Sequence, residues 1–366
     1  MNPATIAALI LAAACAVLPA QAQDKPAPDK PAGKLKIGYV YLGAISDAGW
    51  GAQQEQARKA VVKEFGDRIE TTTLEKISDG LEAERYIEQL ARAGNKLIFA
   101  TSPAYTDEVM KLAKKYPGVK FELATGTRRE ANVSTYTARF YEGRYVEGTI
   151  AAKMSKSGVI GYVAAMPTPD VLAGINATML AAQKIRPDIK LNIAWTNVWS
   201  DPAKEAQAAR TLIDQGADVI MQATGSTAPM QVAGEKHVLA FGQASDMIKT
   251  APKAQLTAIV DDWAPHEIGR VHAVLDNTWK SEDFRGGLKD KTFTLAPFTN
   301  MPDDVKQLAA DTEAGIVSGA IKPFACPITA QDGNAIDCKG AEHLEDGQIA
   351  TMNFLVKGID AALPGK

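Results

Sequence analysis

Strand-like and helix-like stretches alternate along almost the whole chain, and that rhythm limits the fold more than any other feature. Runs rich in β-branched and aromatic residues fall at 35–42, 96–100, 119–124, 158–164, 189–195, 217–222, 237–242 and 256–260. Between them lie amphipathic stretches at 52–65, 81–93, 103–116, 141–155, 169–185, 202–215 and 227–235. In the first of these, Ala57, Ala60, Val61 and Phe65 recur at helical spacing. A βαβα order joined by short loops predicts an α/β fold with parallel sheets covered by helices on both faces. The series restarts near 158, so two Rossmann-like lobes joined by a hinge are expected: an N-terminal lobe of 35–152 plus about 262–282, and a C-terminal lobe of 153–261 plus about 283–366. Such lobes face each other across a cleft that closes by hinge motion. Further on, 295–298 fits a short strand and 302–318 a helix.

In open α/β sheets ligands bind at the loops beyond the carboxyl ends of the strands. The first such loop, Gly43-Ala44-Ile45-Ser46-Asp47-Ala48-Gly49-Trp50-Gly51, has neither G-x-G-x-x-G nor G-x-x-x-x-G-K-[ST], so it is not built to cradle phosphates. Asp47 and Trp50 offer a carboxylate and an indole instead, equipment for a flat molecule that donates hydrogen bonds. Trp199 also lies beyond a strand, where an indole has little structural reason to be. Trp195 and Trp279 are assigned to packing, the latter in a late helix, and Asp201 before Pro202 to a helix cap. The charges of Glu142 and Arg144 fit a solvated helix start, and Arg128 with Arg129 a solvated loop pair.

Residues 1–22 carry no charged side chain and end Ala20-Gln21-Ala22, a signal-peptidase pattern with cleavage after Ala22. Residues 23–34 follow as a Pro-rich polar linker. The run Leu11-Ala12-Ala13-Ala14-Cys15 resembles a lipoprotein box, but using it would truncate the apolar segment, so secretion to the periplasm without a lipid anchor is the favoured expectation. No stretch reaches the ~20 apolar residues of a membrane-spanning helix. A net charge of −3 argues against a nucleic acid partner. Cys326 and Cys338, flanking a turn signal at Asp332-Gly333, are expected to form a structural disulfide. His237, His266, His272 and His343 show no metal-ligand spacing, and no Ser sits in G-x-S-x-G, so neither a metal, a cofactor nor catalysis is expected.

Five stretches carry a resemblance. Ser46-Asp47-Ala48-Gly49-Trp50, Phe140-Tyr141-Glu142-Gly143-Arg144-Tyr145-Val146-Glu147-Gly148, Gly161-Tyr162-Val163, Trp199-Ser200-Asp201-Pro202-Ala203-Lys204 and Gly216-Ala217-Asp218-Val219-Ile220, in this order and spacing, resemble the basic membrane protein family. That family comprises purine and purine-nucleoside binding components of ABC importers with a type I periplasmic binding fold. The resemblance implies a purine ligand, a membrane permease as partner, and a site containing Asp47, Trp50, Trp199 and Asp246. Trp50 stands where the family usually has Phe, and Trp199 at the position that stacks on the base. Where the family has a Lys that contacts ribose, this chain reads Val260-Asp261-Asp262-Trp263-Ala264-Pro265, which favours a free nucleobase over a nucleoside.

Phe140, Ser102, Trp263 and Asp262 complete the expected ligand set, with Asp262 preferred to its neighbour Asp261. Aromatic stacking is worth about 1 to 3 kcal/mol per base. Ionised carboxylates accept but do not donate, so they select ring N–H and amino groups, which favours adenine over xanthine and urate. The alternatives are a purine-nucleoside binding protein of the same type, an exported nucleoside or nucleobase hydrolase, and the effector domain of a transcription regulator. The last has no room for a helix-turn-helix before Lys36.

Overall fold

The computed structural model describes residues 33–46 and 48–364. The leader, its cleavage point and most of the linker lie outside these residues, as does Asp47. The first lobe opens with β1 (Leu35–Val40), α1 (Trp50–Phe65), β2 (Ile69–Leu74), α2 (Leu81–Arg92), β3 (Leu97–Ala100), α3 (Thr106–Lys115), β4 (Lys120–Ala124) and β5 (Val133–Ala138). The chain crosses through α4 (Phe140–Met154) into β6 (Val159–Ala164), α5 (Pro169–Ile185), β7 (Lys190–Trp195), α6 (Pro202–Asp214), β8 (Val219–Ala223), α7 (Ala228–Lys236), β9 (Leu239–Gly242) and β10 (Gln255–Asp261). It returns to the first lobe for α8 (Ala264–Leu275) and β11 (Asp283–Gly286). A third crossing leads to β12 (Phe293–Leu295), α9 (Asp303–Ser318) and the short α10 (Asp346–Ile349).

Two six-stranded sheets result, ordered β2-β1-β3-β4-β5-β11 and β7-β6-β8-β9-β10-β12. All pairs in the first are parallel; in the second only β12 runs antiparallel, against β10. Strands covered on both faces have no polar side to alternate with, and β3 is accordingly Leu-Ile-Phe-Ala with every residue buried.

Two lobe boundaries differ from expectation. β11 pairs with β5, so the third crossing falls after Gly286 and not near 282. Helix α4, expected in the first lobe, packs along α5 and against α9 of the second. The cause is steric: a Cβ on Gly148 would stand 2.3 Å from the Thr178 carbonyl oxygen of α5, and only a glycine lets the two backbones approach so closely.

β5, Val-Ser-Thr-Tyr-Thr-Ala, escapes an apolar pattern search although all six residues are buried. Each of its polar side chains has a partner: Ser134 Oγ accepts from Arg270, Thr135 donates to Asp283, Tyr136 to Gln54 and Thr137 to Asp170. A buried hydroxyl costs little once bonded. The expected strand at 295–298 is instead β12, and α9 falls as expected. Beyond α9 the chain is tied by a disulfide between Cys326 and Cys338.

Candidate functional site

A cavity of about 390 Å³ lies between the lobes at the carboxyl ends of both sheets. From the first lobe it is walled by Trp50, which opens α1 and is steadied by its indole N–H donating to the Thr101 carbonyl at 2.7 Å. Phe140, first residue of α4, stands 6.4 Å away at 67°, and Trp263 lies 5.8 Å from Trp50 at 63° and 6.3 Å from Phe140 at 80°. These edge-to-face contacts lock the rings against one another. Trp263 is 1% exposed and backs the other two without lining the cavity. Trp199, in the loop after β7, enters from the second lobe, and Ser102 lines the first-lobe side with its hydroxyl accepting from Ala104 N–H at 3.2 Å.

The polar floor was not anticipated. Arg144, expected in solvent, is 2% exposed and lines the cavity. Its guanidinium donates to Glu147 Oε2 at 2.6 Å, to the Gln222 carbonyl and to Gln243 Oε1, and lies over the Tyr162 ring at 5.6 Å. The reason is the crossing itself: a helix start that must thread between two lobes has no solvent face. Glu142 likewise turns inward, accepting from the Leu288 N–H at 2.8 Å. Burial raises the Glu147 carboxyl to about 7 against the pull of Arg144. Thr224 Oγ1, also on the cavity wall, is buried without a hydrogen-bond partner.

The acid on this wall is Asp170, at the start of α5. It accepts from Thr137 Oγ1 at 3.2 Å and lies 3.9 Å from Arg285, so it joins the second lobe to the first. Burial pushes its carboxyl above the usual range, opposed chiefly by Arg285. One signal could have found it: Asp170 opens the helix that follows the first strand of its lobe, at the carboxyl end of the sheet where ligands bind.

Two expected acids do not reach the cavity. Asp246 is exposed, and its carboxylate accepts from Ile248 N–H at 2.9 Å and Gln255 Nε2 at 2.7 Å. Asp262 is exposed and bonds the turn that leads into α8, accepting from Ala264 N–H at 3.2 Å. The buried member of that pair is Asp261, at 2% exposure, with neither carboxylate oxygen hydrogen-bonded. Burial drives its carboxyl well up, against the opposing pull of the Trp263 indole and Arg144. Asp201 caps α6, Trp195 donates to the Ala362 carbonyl, and Arg128 pairs with Asp107 on the surface. Trp279 lies in the loop after α8, not in a helix, and donates to Glu122.

The cleft is closed. Gly49 N–H donates to Ser245 Oγ of the other lobe at 2.5 Å, and Ala48 packs on the apolar cluster beneath α6 and α7. Gly49 holds φ +97°, and a Cβ there would stand 2.7 Å from the Gly225 carbonyl oxygen. Among the described residues no group of His, Cys, Asp and Glu could hold a metal, and no helix is long and apolar enough to cross a membrane.

Residues 34–322 match the family of PnrA-like ABC transporter substrate-binding proteins. The chain belongs to this family. A purine-binding protein of Brucella abortus (strain 2308) is 55% identical over 331 residues, covering 90% of this chain and 94% of that one. A Haloferax volcanii protein assigned by name to ABC transport and glucose binding is 31% identical, covering 90% and 81%. An ABC transporter solute-binding protein from Aeropyrum pernix K1, 18% identical, superposes with a TM-score of 0.69 over 80% of this chain and 94% of that one, which speaks for the fold alone. Family membership makes the chain a substrate-binding component of an ABC transporter, with a permease as its partner.

Proposed function

We propose that this substrate-binding protein captures a purine nucleobase, with adenine favoured, in the periplasm and hands it to an inner-membrane permease, after export on a leader cleaved behind Ala22. The observation that carries the reading is the frame of aromatic rings, Trp50 from the first lobe, Phe140 at the head of the crossing helix α4 and Trp199 from the second lobe, around a cavity of about 390 Å³. That volume falls at the lower end of the ~300–1,000 Å³ of small-molecule sites. A planar heteroaromatic ring is the ligand such faces bind best, by about 1 to 3 kcal/mol per stacked base.

Asp170 takes over the acceptor role expected of Asp246 and Asp262, and suits an exocyclic amino group. The unused N–H groups of Arg144 and the free Thr224 hydroxyl suit ring nitrogens. The purine-binding relative at 55% identity supports the ligand class. The run Val260-Asp261-Asp262-Trp263 has no lysine where the resemblance implies a contact to ribose, which supports a base over a nucleoside.

The test is a thermal-shift panel on protein refolded to strip any carried ligand, against adenine, adenosine, hypoxanthine, guanine, xanthine and glucose. A ligand specific to the folded state raises Tm in step with RT ln(1 + [L]/Kd). Adenine should give the largest shift. A larger shift with adenosine would return the site to nucleosides, and a shift with glucose alone would end the purine reading.

A further inference from the structure

The family match ends at residue 322, yet the chain goes on as ordered structure to residue 364. Leu344, Ile349, Met352, Leu355, Val356 and Ile359 of this tail are buried in the main core. Asn176 on α5 fixes its path, donating to the Phe354 carbonyl at 2.9 Å and accepting from Val356 N–H at 2.9 Å. Within the tail, α10 presents Asp346 to Arg139: Nε donates to Oδ1 at 3.1 Å and Nη2 to Oδ2 at 2.5 Å, while Tyr141 OH also donates to Oδ1 at 3.4 Å. Such a bidentate fork fixes direction as well as distance. Arg139 immediately precedes Phe140 and donates on to the Arg285 carbonyl at 2.6 Å, so the fork fastens the tail where the first and third crossings meet.

Ala350, directly after α10, is a wall of the 390 Å³ cavity and, among the described residues, the one lining residue from beyond the family match. Asp346 and Ile349 face a separate void of about 10 Å³ that shares Phe140, Asp170 and Arg285 with the main cavity. A space of that size holds about one water at most. Drawing back Ile349 and Ala350 would merge the two and lengthen the cleft on that side.

We propose that residues 323–364 form a size gate: the tail ends the cleft at Ala350, with Asp346 as the residue that positions it, and so limits how long a ligand the aromatic frame can hold. The gate rests on the nucleobase reading, and it acts on the preference between a base and the same base carrying a sugar.

The experiment is calorimetric titration of adenine and adenosine into the wild-type protein, Ala350→Trp and Asp346→Ala, with Tm of each ligand-free protein measured alongside. Ala350→Trp, which overfills the wall, should weaken adenine by roughly tenfold or more with ligand-free Tm held. Asp346→Ala should raise the affinity for adenosine relative to adenine, a ratio that a merely structural role would leave alone. Both variants binding both ligands as the wild type does would overturn the gate. If Ala350→Trp does not fold, Ala350→Leu takes its place with the same expectation at smaller size. If the wild type binds glucose and no purine, the nucleobase reading fails by itself; glucose is then titrated into the Ala350 variant, where loss supports the gate and unchanged affinity overturns it.

Discussion

The two lobes share a strand order, and in each the two faces of the sheet differ in what fills them. The face under α2 and α3 in the first lobe and under α6 and α7 in the second is covered by apolar side chains, Ile87, Leu90, Val109 and Leu112 in one and Ala209, Leu212, Met230 and Val232 in the other. In the first, the layer beneath α1 and α8 is polar: Tyr39 OH donates to Glu267 at 3.0 Å, Tyr41 OH to Glu55 at 3.2 Å, Tyr136 OH to Gln54 at 3.1 Å, and Arg270 to Glu122 at 2.6 Å. The contrast follows the crossings. Helix α8 enters the first lobe from the second and brings Glu267 and Arg270; α4 enters the second from the first and brings Arg144 and Glu147, again three apart. Each exchanged helix is thus pinned by buried directional bonds, where greasy packing alone would leave its position along the sheet less defined. The difference lies in what the pin faces, for Arg270 points into protein whereas Arg144 also borders the cleft.

Breaking the pins separates the two roles. Arg270→Met leaves Glu122 buried without its cation and should lower stability by about 3–5 kcal/mol in urea denaturation, with ligand affinity of the folded fraction unchanged. Arg144→Met should cost stability of similar order and also weaken binding; wild-type affinity there would take Arg144 out of the site. Next in size, Gly49→Ala strains a backbone region open mainly to glycine, of order 1–3 kcal/mol, and sets a methyl against the Gly225 carbonyl. It should hold the lobes apart, seen as loss of affinity and no ligand-induced contraction in small-angle scattering.

Trp199→Ala removes the ring that the loop after β7 adds to the aromatic frame. It should weaken purine binding by about 1 to 3 kcal/mol at unchanged Tm, and an unaltered Kd would confine stacking to Trp50 and Phe140. The smallest effect is a slope. Glu147 holds its proton to about pH 7 in the fold but only to its ordinary 4.5 when unfolded, so its contribution is full below 4.5 and is lost as pH rises through 7. Glu147→Gln should flatten Tm against pH across that window, and an unchanged slope would assign the pH response to other groups.

How legible this was depended on the kind of signal. Periodicity exposed the strands and helices that bury one kind of surface, and loop position brought Trp50, Phe140, Trp199 and Ser102 to the cavity wall. It missed β5, because Ser134, Thr135 and Thr137 are buried by virtue of partners more than a hundred residues away or in another element. Arg144 looks like a surface charge until α4 is known to cross between lobes. Asp246 and Asp262 sit in the right loops but spend their carboxylates on local backbone and Gln255, a choice made by side-chain direction that spacing does not encode. Asp261, their buried neighbour, differs from Asp262 only by the alternation of a strand end.

The chain passes between the lobes three times, after β5, after β10 and after β11. Three tethers side by side restrain twisting and sliding far more than bending, so the lobes keep essentially one soft coordinate, opening and shutting about the line of the crossings. A motion so constrained needs no search over relative orientations: each closure brings Gly49 back to Ser245 and the same rings back to the same faces.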